Sequence, residues 1–478
     1  MLPSIHPLGK APPMPDDFDP ALLSAEDMVS LYARRRLSPV DVLQAVTERV
    51  ARLNPAFNAF AAMNPRAMQA AGESASRWRA GRPMGALDGV PVTVKDLVDV
   101  AGFPTRRGSR TTDTAPVADD APMVVGLKAA GAVILGKTTT TEFGWKTPGD
   151  NPLNGITRNP WDTDFTPGGS SSGAGAAGAA GFGPLHIGTD AGGSVRIPAA
   201  WCGLVGLKPT YGRIPQWPAG AFASVACAGP MTRTVRDNAL MLSAMARHDT
   251  RDPFCLPDDP RDWRDGIEDG VQGMSVAVMG RPGFDAPVDA DGIAAVEQAA
   301  RILADAGATV EAFDPDLPDT SFVFSRLWGA SLARLAMGLP PDRRALLDPG
   351  IVQVAEELHG MTAIEFMDAE AMRASAGHIM AMLHQRYDLV LCPTVPAGPP
   401  LADAPTEDPV RALMTTWAPW TFTFNITRQP AITMPLGARG DGLPNSVQIA
   451  AAQGRDDLVF RAARVLEKVV PVAVVDLG

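Results

Sequence analysis

The chain alternates amphipathic helices with short apolar segments, and this alternation restricts its fold more than any other feature of the sequence. Residues 91–94 and 132–135 predict strands, and residues 123–130 predict a helix between them that ends at Gly131. Farther along, residues 276–279 and 389–392 are short apolar runs, with an amphipathic helix predicted over 293–306. This succession favours an α/β fold in which a sheet carries helices on both faces.

The amino-terminal part of the chain carries two helix-start signals. Ser24 with Asp27, and Ser38 with Asp41, form the Ser-x-x-Asp pattern of a capping box, and each precedes apolar residues at helical spacing. We therefore expect two helices before residue 66. Pro-rich patches at 340–341 and 396–400 are typical of loops over one face of a domain, not of linkers.

Composition and charge exclude several classes of protein. Among 478 residues, 42 Lys and Arg stand against 53 Asp and Glu, and the net charge of −11 repels phosphate backbones and anionic membranes. Residues 165–189 lack charge, but they are mostly Gly, Ser and Ala and too weakly apolar for a membrane span. The four cysteines form no Cys-x-x-Cys pair, and the six histidines show no metal-ligand spacing. Met1–Lys10 lacks the apolar core of a secretory signal, so we expect a cytoplasmic protein.

Two general motifs occur in a Gly- and Ser-rich segment of the chain. Gly169–Gly173 matches the Gly-x-Ser-x-Gly nucleophile elbow of α/β-hydrolases, with Ser171 as the nucleophile. Gly173–Gly178 matches Gly-x-Gly-x-x-Gly, the dinucleotide-binding fingerprint. Both motifs require a preceding buried strand, whereas residues 158–167 are polar and contain two prolines. We therefore expect a closely packed helix at 173–178 and disfavour Ser171 as a nucleophile.

A third interpretation combines Gly168–Gly173, Asp190–Ser194 and Lys95. Lys95 precedes Ser170 by 75 residues, and Ser170 precedes Ser194 by 24. Flanking segments agree, namely Leu-Asp-Gly-Val-Pro at 87–91, Asn-Pro-Trp at 159–161 and Gly-Leu-Lys-Pro-Thr at 206–210. With these residues the chain resembles the amidase signature family, serine hydrolases with a Ser-cisSer-Lys triad, over most of its length.

The resemblance implies a fold and a division of the chain. The fold would be an α/β/α sandwich, with a large mixed, mostly parallel central sheet covered by helices on both faces. Residues 1–66 would form a helical segment packed on the core, and residues 67–478 would form the catalytic domain. Within that domain, the signature region would span about 85–215 and a substrate-loop region about 253–388.

The resemblance also implies roles for individual residues. Ser194 would be the nucleophile, Ser170 the bridging serine preceded by a cis peptide bond, and Lys95 the base. The oxyanion-hole segment would comprise Ala191, Gly192, Gly193 and Ser194. Supporting roles would fall to Gly169, Ser171, Thr189, Asp190 and Arg196.

Physical chemistry limits how Lys95 can act as a base. A serine hydroxyl is a weak nucleophile at neutral pH and needs a base to take its proton. No histidine lies in the three segments, and a free lysine, with a pKa of about 10.4, is protonated at neutral pH. Lys95 can therefore act only if burial or nearby dipoles lower its pKa, and its apolar neighbours make burial the expected cause. Asp96 should face away from Lys95, because successive strand residues point to opposite faces.

The expected reaction is acyl transfer from an amide to water, with neither a metal nor an organic cofactor implied. The partner would be a small-molecule amide or carbamate, or an ester, and the protein would be a monomer or homodimer. Trp145, Trp217 and Phe222, with Trp328 and Met372, suggest a pocket for an apolar or aromatic group such as an anilide or aryl carbamate.

Two other function classes stay open. The family that this chain resembles includes the amidase subunit of the tRNA-dependent amidotransferase, which passes ammonia to a second protein. The Pro215–Pro218 loop departs from what is expected of that subunit. A non-catalytic binding protein on the same scaffold is disfavoured, because all three triad positions are intact.

Overall fold

The computed structural model describes residues 18–222 and 224–477. The expectation about a secretory signal concerns Met1–Lys10, which lies outside the described residues. Within the described residues, no helix combines the length and apolarity needed to cross a membrane.

Strands and helices alternate along most of the described chain. Its strands are β1 Phe60–Met63, β2 Pro91–Lys95, β3 Val133–Thr138, β4 Asp150–Asn151, β5 Gly155–Ile156, β6 Leu185–Asp190, β7 Val205–Lys208, β8 Cys227–Thr232, β9 Ser275–Val278, β10 Thr309–Ala312, β11 Leu389–Pro393, β12 Ala431–Ala438 and β13 Pro444–Ala451. Its helices are α1 Ala25–Ala33, α2 Pro39–Phe57, α3 Ala67–Arg79, α4 Pro122–Ala129, α5 Ser172–Ala179, α6 Arg196–Cys202, α7 Val235–Met245, α8 Ala290–Asp305, α9 Thr320–Met337, α10 Pro341–Arg344, α11 Pro349–Leu358, α12 Ala363–Leu383, α13 Pro409–Ala412, α14 Thr423–Ile426 and α15 Asp456–Val469. Short 3₁₀ helices span Pro20–Leu22 and Glu142–Gly144, and a π-helical turn spans Leu413–Trp417.

Eleven of these strands form one mixed sheet in the described chain, in the order β1-β3-β2-β6-β8-β7-β12-β13-β11-β9-β10. Parallel pairing joins β3, β2 and β6 on one flank and β11, β9 and β10 on the other. The strands between them, and the edge strand β1, pair antiparallel. The expectation of a large mixed sheet is confirmed, and its parallel character is concentrated in the two flanks.

Helices cover both faces of this sheet. Every residue of β2, β3, β11 and β13 is buried, as expected for strands enclosed on both sides. Helix α15 contacts both α7 and α8, and all three contact the strands, whereas α5 and α6 form a separate pair against the strands. Helices α6 and α15 both pack on β12 and β13 but do not pack on each other in the described chain, as expected for helices on opposite faces of the sheet.

The elements predicted from periodicity are present, with small shifts at their ends. The predicted strand at 91–94 is β2, and the helix predicted to end at Gly131 is α4. The capping box at Ser38 is formed, since its side chain accepts from the Asp41 N–H while the Asp41 carboxylate accepts from the Ser38 N–H. At Ser24 the side chain accepts from the Asp27 N–H.

Two regional expectations need refinement. The segment before residue 66 contributes β1 to the edge of the sheet as well as α1 and α2, so it is not purely helical, and the division at 66 stays a prediction. The region 253–388 is mostly helical, since it contains α8, α9, α11 and α12. Helices α9 and α11 pack into an apolar cluster with Trp145 and Trp417 beside the site described below.

Candidate active site

Lys95 occupies the last position of β2, and its side chain is fully buried. Its Nζ lies 2.7 Å from Ser170 Oγ, 2.9 Å from Thr189 Oγ1 and 3.3 Å from the Thr189 carbonyl oxygen. Thr189 lies on β6, the parallel neighbour of β2, and Ser170 lies just before α5. Two neighbouring strands and one helix start therefore hold the amine among two hydroxyls and a carbonyl.

The surroundings of Lys95 favour its uncharged form. Burial lowers the pKa of Lys95 well below its ordinary value, and the negative charge of Asp190 opposes only part of this effect. In the described chain, no carboxylate lies within ion-pair distance of Lys95 Nζ. The buried Lys137 on β3 differs, because its Nζ lies 2.9 Å from Asp96 Oδ1. Asp96 therefore faces away from Lys95, as expected from strand alternation.

Ser170 connects the buried amine to an open cleft. The peptide bond between Gly169 and Ser170 is cis, the feature that the resemblance implies. Gly169 has no room for a side chain, since an added Cβ would lie 2.7 Å from the Thr147 carbonyl oxygen. Ser170 contacts Lys95 on one side and lines the cleft on the other.

Ser194 lines the same cleft from the turn that follows β6. In that turn Gly193 has a φ of 134°, and an added Cβ would collide with the Thr421 side chain. The N–H of Gly193 donates to Asp190 Oδ1 at 2.8 Å. This differs from the expected oxyanion hole, because that N–H is directed to a carboxylate and is not free to bind a substrate oxygen.

A buried ion pair fixes the turn that carries Ser194. Arg196 and Asp190 are both fully buried, and two guanidinium nitrogens of Arg196 lie 2.9 Å from the two carboxylate oxygens. Arg196 also donates to Asn425 Oδ1, Gln448 Oε1 and the Thr421 carbonyl. Burial alone would raise the pKa of Asp190, but the charge and hydrogen bonds of Arg196, with a hydrogen bond from Asn425, hold it well below the usual carboxyl range.

Two dissimilar groups of residues line the cleft, and each is here called a wall. One wall, here called the aromatic loop, is residues 216–222, with Trp217 46% exposed and Phe222 nearly buried. The other wall, here called the charged wall, comprises Leu97, Val98, Asp99 and Arg107. Ser170, Thr189, Ala191 and Ser194 lie along the same cleft.

Three expected pocket residues lie elsewhere. Trp145 is 3% exposed and packs against Trp328 and Trp417, with ring centroids 6.2 and 5.8 Å away. Met372 packs against the edge of the same apolar cluster. Trp145, Trp328 and Met372 therefore support the helices beside the site and do not line the cleft, whereas Trp217 and Phe222 do.

The two general motifs have structural explanations. Ser171 is fully buried, and its hydroxyl is hydrogen-bonded to the backbone of Thr189. The described loop before it contains an isolated β-bridge at Phe165 in place of the strand that a nucleophile elbow requires. Ser171 therefore does not form a nucleophile elbow. Gly173–Gly178 lies within α5, where an added Cβ at Gly173 would collide with the backbone of Ala59 and Thr139. These glycines allow close helix packing, as expected.

Sequence reasoning did not identify the charged wall. Asp99 and Arg107 follow Lys95 by 4 and 12 residues, and their position after the end of a buried strand is the signal that could have identified them. It also did not identify Thr421, whose hydroxyl donates to the Gly192 carbonyl at 2.5 Å and so supports the Ser194 turn across 229 residues of sequence. Within the described residues, no group of three or more His, Cys, Asp or Glu side chains could hold a metal ion.

Comparisons with known proteins agree with this geometry. The Amidase family model matches residues 41–460. An acylamidase from Rhodococcus erythropolis is 37% identical, covering 94% of this chain and 96% of the relative. A glutamyl-tRNA(Gln) amidotransferase subunit from Symbiobacterium thermophilum is 33% identical, covering 94% and 97%. The crystal structure of a bacterial aryl acylamidase superposes with a TM-score of 0.87 at 27% identity, covering 94% of this chain and 96% of that one.

The sheet and the site, together with these relatives, define an amidohydrolase that acts on amide C–N bonds. The chain belongs to the amidase signature family.

Asp190→Asn tests the importance of the buried ion pair. We expect the free energy of unfolding to fall by about 3–5 kcal/mol, because the charge of Arg196 would remain buried without its counter-charge. Chemical denaturation measures this change. Asp285→Asn is the control, since its ion pair with Arg281 is exposed and should contribute little. Equal effects of the two substitutions would contradict this account.

Proposed function

We propose that Ser194 is the nucleophile of this amidohydrolase, Ser170 its proton relay and Lys95 its base. The observation that carries the proposal is the 2.7 Å contact between the buried Lys95 amine and Ser170 Oγ, at a cleft that Ser194 also lines. The low pKa of Lys95 supports it, because only an uncharged amine can accept a proton.

The proposed reaction has two steps. Ser194 Oγ attacks the amide carbonyl carbon, while its proton passes to Ser170 and the proton of Ser170 passes to Lys95. The proton then returns along the same path to the leaving nitrogen, the C–N bond breaks and an acyl-enzyme remains. Water attacks the acyl-enzyme in the same way and releases the acid, with Ser194 as the leaving group.

Backbone N–H groups of the Ser194 turn would stabilise the oxyanion. We propose Ala191, Gly192 and Ser194 as the donors, and omit Gly193 because its N–H binds Asp190. A single donor of this kind typically contributes about 3 kcal/mol to transition-state stabilisation. The Arg196 network supports this assignment, since it holds the turn before substrate arrives.

Substitution of the two serines tests the assignment. We expect Ser194→Ala to lower kcat by more than about a thousandfold, because no nucleophile remains. Ser170→Ala should lower it by about two to four orders of magnitude, because the proton relay is lost. Ser172→Ala is a matched control that should not affect kcat, since the buried Ser172 hydroxyl has no hydrogen-bond partner among the described residues. Phenylmethylsulfonyl fluoride should label Ser194, and a label on Ser171 would overturn the assignment.

The pH dependence of hydrolysis tests the lysine base. Activity should rise with pH as Lys95 loses its proton, and burial should place this transition below the ordinary pKa range of lysine. The measurement is kcat/KM against pH for an uncharged anilide. An acid optimum, with activity falling toward neutral pH, would rule out a lysine base.

The substrate would be a small molecule with an apolar or aromatic group, such as an anilide or aryl carbamate, and esters could follow the same acyl-enzyme route. Trp217 and Phe222 support this class because they present aromatic surface on one wall of the cleft. The similarity to the acylamidase and the aryl acylamidase named above also supports this substrate class. The monomeric or homodimeric state and the cytoplasmic location stay predictions.

A second candidate is the amidase subunit of a tRNA-dependent amidotransferase, which the 33% identical relative favours. A panel of para-nitroanilides, aliphatic amides, aryl carbamates and glutamine separates the two functions. We expect the isolated protein to prefer the aryl substrates. A preference for small charged amides would reject the aryl proposal. Purification as a stable heteromer whose glutaminase activity needs the partner would favour the amidotransferase.

A further inference from the structure

The charged wall of the cleft lies directly after the strand that carries the base. Lys95 ends β2, and the Val98 N–H donates to the Lys95 carbonyl at 2.9 Å, which turns the chain along the cleft. Arg107 joins this wall because its N–H donates to the Asp96 carbonyl at 3.0 Å. The Phe143 N–H donates to the Arg107 carbonyl at 2.8 Å, so the backbone of Arg107 is held from both sides.

The guanidinium of Arg107 is held only loosely. Its Nη1 lies 3.4 Å from the Leu97 carbonyl oxygen, and its Nη2 lies 3.8 Å from Asp99 Oδ1. These are its side-chain hydrogen-bond and ion-pair contacts within the described residues. A guanidinium has five N–H donors, so several remain available, and the side chain is 28% exposed where it lines the cleft.

Asp99 balances the charge of Arg107 without occupying its donors. The Asp99 side chain is 12% exposed, and its Oδ1 is buried with no hydrogen-bond partner in the described chain. Lys137 forms an ion pair with Asp96, so these two charges also offset each other. The wall is therefore close to neutral overall, but it presents hydrogen-bond donors to the cleft.

This arrangement selects the kind of group that can lie against the wall. An apolar group there would remove water from the guanidinium and supply no acceptor in return, which is unfavourable. A carboxylate or carbonyl oxygen would replace that water with a charge-assisted hydrogen bond. Since the aromatic loop lines the same cleft, one substrate could place a ring on one wall and an oxygen on the other.

We propose that Arg107 is a specificity-determining residue that binds an acceptor oxygen, from a carboxylate or a carbonyl, on the substrate of this amidohydrolase. This inference rests on the proposed function, because it concerns the same cleft. Arg107 acts on substrate choice and takes no part in proton transfer.

Matched anilides test the inference on both sides of the scissile bond. On the acyl side, butyranilide is compared with succinanilate and with the methyl ketone 4-oxopentananilide, which offers a carbonyl oxygen without a cleavable ester. On the amine side, acetanilide is compared with para-acetamidobenzoate and with the methyl ketone para-acetylacetanilide. We compare the wild type with Arg107→Met, which keeps the length of the side chain, and Arg107→Lys, which keeps its charge. Arg106→Met is the matched control, because Arg106 belongs to the same loop and contacts Thr112 and Ser109 instead of lining the cleft.

In at least one series, Arg107→Met should lower kcat/KM for the acceptor-bearing substrate by about tenfold or more, mainly through KM. The hydrocarbon substrate of that series should change by less than about threefold, since it makes no such bond. Arg107→Lys should lie between, and Arg106→Met should preserve the wild-type preference. A response of the carboxylate alone would assign a charged acceptor, and a response of the ketone as well would assign a carbonyl.

Equal effects of Arg107→Met on acceptor-bearing and hydrocarbon substrates in both series would overturn the inference and leave the proposed function standing. Failure of the wild type to hydrolyse any anilide would instead overturn the proposed substrate class, and this inference with it.

Discussion

The site depends on one desolvated amine. Removing an ammonium group from water is costly, and a protein usually offsets that cost with a carboxylate, as Asp96 does for Lys137. At Lys95 the neighbours are two hydroxyls and a carbonyl, so the cheaper response is loss of the proton. The same burial that penalises the charge therefore leaves the amine uncharged at neutral pH, the form in which it can accept a proton.

A second buried charge is treated in the opposite way. Asp190 keeps its charge because Arg196 and Asn425 satisfy its oxygens, and Gly193 donates to it from the turn. The carboxylate is only a few residues from Ser194, yet it is turned into this network and does not pair with the amine. Lys95 and Asp190 therefore respond to burial in opposite ways, because Lys95 contacts uncharged oxygens whereas Asp190 contacts a guanidinium.

The sequence predicted well those features that depend on local pattern. The strand ending at Lys95, the helices at Ser24 and Ser38, and the packed glycines of α5 all follow from spacing within a few residues. Local pattern did not predict contacts between distant segments, and the contact between Lys95 and Ser170 was expected only from the family resemblance. Trp145 was expected in the pocket, but α9 and the π-helical turn cover it with Trp328 and Trp417. The antiparallel centre of the sheet, similarly, depends on pairings that no local period encodes.

The two walls of the cleft differ in how closely they are linked along the chain to the proposed catalytic residues. The charged wall continues directly from the strand of Lys95, so an insertion or deletion there would displace the proposed base. The aromatic loop contains no proposed triad residue, and Gln216 ties it through its side chain to the carbonyl of Ala226. Variation among descendants of this protein would therefore accumulate more freely in the loop, and new substrate ranges could evolve there while the proposed proton path stays intact.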